Sequence, residues 1–133
     1  MIDKPTRRLV RARADKRCEY CRLPESAGDI TFHVEHIVAR QHQRDDDPSN
    51  LALACDRCNL YKGPNLTSID PESNEVVRLF HPRTDDWHEH FERRDANVIG
   101  KTPAGRATIH LLNINAKRRI QLRRQLVERG EQL

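Results

Sequence analysis

The sequence predicts an α+β fold: a small β-loop-β-α core flanked by an N-terminal helix and by C-terminal helices. Three observations carry that expectation. Two Cys-x-x-Cys pairs, Cys18/Cys21 and Cys55/Cys58, bracket a stretch rich in β-branched and aromatic residues at 31–38. A short apolar run, Leu51-Ala52-Leu53-Ala54, precedes the second pair, and a helical segment at 56–62 follows it and is stopped by Gly63-Pro64. Helix-starting signals stand towards both ends of the chain, Asp3 with Pro5 and Thr102 with Pro103.

The chain has 133 residues, the size of one ordinary domain, and no linker or internal repeat divides it. Charged residues make up 33% and hydrophobic ones 36%, with one Trp, two Tyr and three Phe, so the core is small and a metal staple would help it. No apolar run approaches the roughly 20 residues that span a bilayer. The first residues lack the apolar stretch of a signal peptide, which points to an intracellular, cytoplasmic setting with no membrane partner, where thiols stay reduced. Net charge is +4, but it is unevenly spread: residues 1–22 carry +5, residues 101–133 carry +6, and the middle carries −7. Basic flanks around an acidic centre suit a protein that grips a phosphate backbone and holds a cation between the grips. The same charges also fit plain solvated helix faces.

Taken in order, Asp3 caps a helix to about residue 15, with Leu9, Val10 and Ala14 inward and Arg7, Arg8 and Arg11 outward. Cys18 to Cys21 form a tight turn, and 23–29, with Pro24 and Gly28, is a loop. A strand at 31–38, a polar loop at 41–49, a short strand at 51–54 and a short helix at 56–62 give the β-loop-β-α order. Ser73-Asn74 predicts a turn, 75–80 a strand, and 84–91 one or two helical turns capped by Thr84. Val98-Ile99 marks another strand. Thr102-Pro103 starts a helix to about Leu112, and Asn113 or Asn115 caps a last helix ended by Gly130.

Two Cys-x-x-Cys pairs bring four soft thiolates together, and tetrahedral Zn²⁺ accepts four at about 2.3 Å. Four thiolates close the site, so such a zinc is structural. Nearby Lys16, Arg17, Arg22 and Arg57 favour thiolate over thiol. The alternative is four buried or redox-active cysteines, although nothing else resembles a thioredoxin-like motif.

Glu35 and His36 are sequence neighbours, which on a regular strand face opposite sides. To serve one site they must sit at the strand's end or at a bulge. Together with Asn50 and with Asn59 directly after Cys58, the stretch is similar to the HNH endonuclease family, in its four-cysteine zinc form around a ββα-metal (His-Me finger) core. The resemblance covers residues 18–63. It implies that Glu35 and Asn59 are ligands of a catalytic cation, that His36 is the general base, and that Asn50 pins the loop carrying His36. Two positions depart from the commoner pattern: Glu35 stands where Asp is frequent, and Asn59 where His is frequent.

The residue types suit phosphodiester hydrolysis. Imidazole titrates near neutral pH and can take a proton from water. A carboxylate and an amide oxygen are hard ligands that suit Mg²⁺ or Mn²⁺. The expected partner is nucleic acid, in particular double-stranded DNA. Arg40, Arg57 and Lys62 lie near the motif as phosphate contacts, with Arg7, Arg8 and Arg11 at one end and Lys117, Arg118 and Arg124 at the other. Each is equally readable as a surface charge. His33 is either a neighbour of the site or an exposed strand residue, and His88-Glu89-His90 is either a phosphate or ion contact or a solvated cluster.

Two other functions fit parts of the pattern. A zinc deaminase carries His-x-Glu and Pro-Cys-x-x-Cys, which His33-Val34-Glu35 and Cys55-Asp56-Arg57-Cys58 match in part. Ala54 occupies its Pro position, however, and Cys18, Cys21, Asn50 and Asn59 would be left without roles. A non-catalytic zinc module would bind nucleic acid through the basic ends without cutting it.

Overall fold

A computed structural model describes residues 2–27 and 31–133. Gly28, in the loop expected at 23–29, lies outside the described residues. The fold is mixed α/β, and the chain forms two compact units. The first runs to Asn65 and includes His81–Thr84; the second is Leu66–Phe80 with Asp85–Leu133. Among the described residues no helix is long and apolar enough to cross a membrane.

In the first unit, α1 (Lys4–Arg13) starts where the Asp3 side chain accepts the Thr6 amide at 2.9 Å. Val10 and Ala14 are buried, but Leu9 is 49% exposed, which corrects its expected inward position. The apolar stripe is narrow because at 100° per residue Leu9 falls beside Val10, off the side that meets the strands. Strand β1 (Phe32–His36) pairs antiparallel with β2 (Leu51–Cys55), and His36 stands opposite Leu51. All five β2 residues are buried, since both α1 and α2 (Asp56–Lys62) pack on this strand. Gly63, at φ 50°, ends α2. This is the β-loop-β-α order read from the sequence, with α2 bounded as expected.

The second unit holds two further antiparallel pairs, β3 (Thr67–Ile69) with β4 (Val76–Arg78) and β5 (Phe91–Arg94) with β6 (Asn97–Gly100). The short α3 (Trp87–His90) is capped by Asp86, not Thr84. Helix α4 (Pro103–Leu112) begins where the Thr102 hydroxyl accepts the Gly105 amide at 3.0 Å, and it packs on β3, β4 and β6. Helix α5 (Lys117–Glu128) has Ala116 at its cap position rather than Asn113 or Asn115. Both asparagines are used elsewhere. Asn113 closes α4 at φ 52°, and Asn115 exchanges two hydrogen bonds with the Val98 backbone, at 3.0 and 2.8 Å. Phe80 and Phe91 meet edge-on at 5.1 Å, Trp87 lies 5.1 Å from Phe91, and Leu112 and Ile114 are buried in the same unit.

Candidate functional site

Four cysteine sulfurs gather at the base of the ββα core. Cys18, Cys21, Cys55 and Cys58 are all buried, and their Sγ atoms lie within 4.8 Å of one another. The turn that presents the first pair is fixed by backbone bonds. The Cys18 amide donates to the Leu23 carbonyl at 2.9 Å, the Arg22 amide donates to the Cys18 carbonyl at 2.9 Å, and Arg22 adopts φ 67°. The second pair spans the β2–α2 junction, with Cys55 last on β2 and at the helix cap position. Burial pushes the Cys18 and Cys58 thiols well up, while hydrogen bonding with Cys18 lowers Cys55. Four thiolates this close repel one another unless a cation sits among them. The donor set fits Zn²⁺: sulfurs on a tetrahedron at about 2.3 Å from zinc stand about 3.8 Å apart, and Cys21 and Cys55 are 3.8 Å apart. His33 lies outside this cluster and pairs with Asp56 at 3.3 Å, so the three-ligand open zinc of a deaminase has no counterpart among the described residues.

Strand β1 is unbulged and ends at His36, so Glu35 and His36 project from its two faces. Glu35 points inward and is 8% exposed. Burial raises its carboxyl to about 7, against the lowering effects of the Lys62 ammonium and the Tyr20 hydroxyl. Oε1 of Glu35 finds no hydrogen-bond donor of ordinary geometry among the described residues. Lys62 is itself 2% exposed, and its Nζ donates to the Ile37 carbonyl at 2.8 Å. This corrects its expected phosphate contact, because the ammonium is turned into the core towards Glu35. Asn59 and Lys62 are three residues apart on α2 and therefore share a helix face, which places Asn59, half-buried, on the side that meets β1. A buried carboxylate oxygen without a donor and an amide on the facing helix fit a hard divalent cation.

His36 is placed differently. Its ring lies under the 41–49 loop, where Nε2 meets Asp46 Oδ1 at 2.7 Å. Asn50, 5% exposed, fastens that loop. Its Oδ1 accepts the Val38 amide at 2.9 Å, and its Nδ2 donates to the Val38 carbonyl at 3.1 Å and to the Asp45 carbonyl at 2.9 Å. Asp46 is indistinguishable in sequence from Asp45 and Asp47, and only the folded loop singles it out.

The expected phosphate contacts fall into distinct settings. Arg40 and Arg57 are exposed, and an Arg40 Nη lies 3.3 Å from Asp46. Arg7 and Arg8 are exposed on α1, whereas Arg11 is paired with Glu25. Lys117, Arg118 and Arg124 are exposed on α5 in the second unit. Arg123, between them, is buried and donates to the Ala96 and Ile114 carbonyls at 2.7 and 2.8 Å. Of the other histidines, His81 accepts the Arg83 amide at 3.1 Å, His90 shares a 2.6 Å bond with Thr102, and His88 is exposed beside Trp87.

Residues 18–65 match the sequence model of the family described as HNH endonuclease. The chain is also 26% identical over 106 residues to the Septu protein PtuA of Bacillus mycoides (strain KBAB4). That alignment covers 74% of this chain and 15% of PtuA, so the chain spans about 15% of the length of this curated relative. No solved structure matches.

Proposed function

We propose that this chain, whose residues 18–65 form an HNH endonuclease-family segment, is a metal-dependent nuclease that hydrolyses phosphodiester bonds in double-stranded DNA, both of its units serving that one activity. The observation that supports the reading is that one ββα unit carries His36 as the last residue of β1, buried Glu35 directly before it, and Asn59 on α2, the helix that packs on β1.

His36 accepts a proton from the attacking water as its oxygen bonds to phosphorus. The phosphorus–O3′ bond breaks, and the leaving oxygen gains a proton from solvent, giving 5′-phosphate and 3′-hydroxyl ends. Glu35 and Asn59 are the residues that would hold Mg²⁺ or Mn²⁺, which when bound stabilises the negative charge on the phosphate and the leaving oxygen. Asn50 keeps the 41–49 loop closed over His36, and the zinc cluster fixes the start of the helix that carries Asn59. Arg40 and Arg57 draw in the backbone near the site, and the exposed basic residues of α1 and α5 supply non-specific grip.

The test is incubation of this chain with supercoiled plasmid DNA and Mg²⁺ or Mn²⁺. Nicked product with the stated ends, lost when the divalent cation is chelated, is the expected result. Tight, salt-sensitive binding with no cleavage would identify a non-catalytic zinc module instead.

A further inference from the structure

The 2.7 Å contact between His36 Nε2 and Asp46 has chemical direction. Asp46 is 44% exposed on its side chain, and hydrogen bonding from His36 holds its carboxyl below the ordinary range, so near neutral pH it is an anion that can only accept. The hydrogen on that contact therefore belongs to the imidazole, which donates it from Nε2. Position is constrained as well. Asn50 ties the neck of the loop at Val38 and its far side at Asp45, the residue directly before Asp46. Within the loop, the Asp47 amide donates to Asp45 Oδ1 and the Ser49 amide donates to Asp47 Oδ1, each at 2.9 Å. Arg40 approaches the same Asp46 carboxylate, at 3.3 and 3.4 Å from its two oxygens. A carboxylate on so closely fastened a loop is a fixed reference for the ring.

We infer that Asp46 is the positioning residue of the His36 base: it holds the imidazole in the Nε2-protonated tautomer and turns Nδ1 towards the attacking water. The inference rests on the nuclease reading and adds to it a residue that acts on DNA only through His36. In this arrangement Asn50 serves catalysis indirectly, because it carries the orienting carboxylate as well as closing the loop.

The experiment compares wild type, Asp46→Ala, Asp46→Asn and Asp45→Asn, all zinc-loaded. Single-turnover cleavage of plasmid DNA in Mg²⁺ is measured beside DNA affinity, and the His36 ring nitrogens are read by ¹⁵N NMR. Asp46→Ala is expected to slow cleavage by about 10- to 100-fold, the usual cost of losing a partner that orients a reactive histidine, with DNA affinity unchanged. Asp46→Asn should recover most of the rate, because its amide oxygen accepts the same N–H. Asp45→Asn, which removes an equal charge one residue away, should leave the tautomer as in wild type. The wild-type spectrum should show a single Nε2-protonated ring, and Asp46→Ala a mixture of tautomers. Equal cleavage rates for wild type and Asp46→Ala, or a wild-type ring that is already a mixture, would overturn this inference and leave the nuclease reading standing. Absence of cleavage by wild type would overturn the nuclease reading, and the role of Asp46 with it.

Discussion

The Asn50 side chain exchanges two hydrogen bonds with the backbone of Val38, twelve positions earlier, at 2.9 and 3.1 Å, so the chain between them closes into a loop whose neck is a single amide. A third bond, to the Asp45 carbonyl, fixes the far side of that loop. Asn50 is 5% exposed and its three bonds are part-buried, so water replaces its amide only in part.

Asn50→Ala is therefore expected to destabilise the protein by about 1–3 kcal/mol in urea denaturation, the cost of leaving part-buried polar groups without their partner. Cleavage should fall as well, with zinc content unchanged. Asn50→Asp keeps an acceptor for the Val38 amide but loses both donors, and should fall between the two. Wild-type stability in Asn50→Ala would show that the loop closes without this amide.

One zinc per chain is expected by metal analysis, held by Cys18, Cys21, Cys55 and Cys58. Replacing any one cysteine by serine should cost several kcal/mol, on the order of what structural zinc contributes to small domains, and should lower metal content in step with helicity. A fully folded protein that carries no zinc would refute the assignment.

The α5 grip is tested by replacing Lys117, Arg118 and Arg124 with alanine while keeping Arg123, whose buried guanidinium holds the Ala96 and Ile114 carbonyls. DNA affinity should fall and its salt dependence should flatten, by up to about 0.9 in log–log slope for each phosphate that is no longer neutralised. Thermal stability should be nearly unchanged, because the three side chains are exposed. An unaltered slope would remove α5 from the interface.

Asp70 provides a pH test of the second unit. It is fully buried and accepts from Arg106 Nε and Nη, both at 2.9 Å, from the Glu72 amide at 3.0 Å and from the Ser73 hydroxyl at 3.0 Å. These bonds, led by Arg106, hold its carboxyl well below the ordinary value of 3.8. As pH falls below that value the unfolded chain takes up the proton first, so the stability contributed by the pair is present above about pH 4 and is lost in more acidic solution. Asp70→Asn should thus be less stable than wild type at pH 7, with a gap that narrows below pH 4. Fluorescence of Trp87, the one tryptophan, reports it from the same unit. A gap of constant size across that range would contradict the account.

The features legible in the sequence were those with local chemistry. Gly63 and the start after Cys55 bound α2 as expected, Thr102 caps α4, and paired spacing was enough to bring four cysteines together. Strands β3 and β5 were not legible. Phe-Glu-Arg-Arg is half exposed and charged, and it becomes a strand because β6 lies alongside to pair with it. Lys62 reads as a surface charge, since lysines are rarely buried, and only its tertiary partners, the Ile37 carbonyl and Glu35, turn it inward. Asn113 and Asn115 had the right chemistry for a helix cap, but the chain uses one to leave α4 in a left-handed turn and the other to bond β6. Asp46 could not be told from its neighbours, because its role depends on where the 41–49 loop returns relative to His36.

The central claim is that His36 is the general base, and single-turnover cleavage of plasmid DNA by wild type and His36→Ala tests it most directly. The account predicts a rate lower by about 10²- to 10⁴-fold for His36→Ala, the usual size of a general-base contribution, with DNA affinity and zinc content preserved. Cleavage by purified His36→Ala at a rate close to wild type would contradict it.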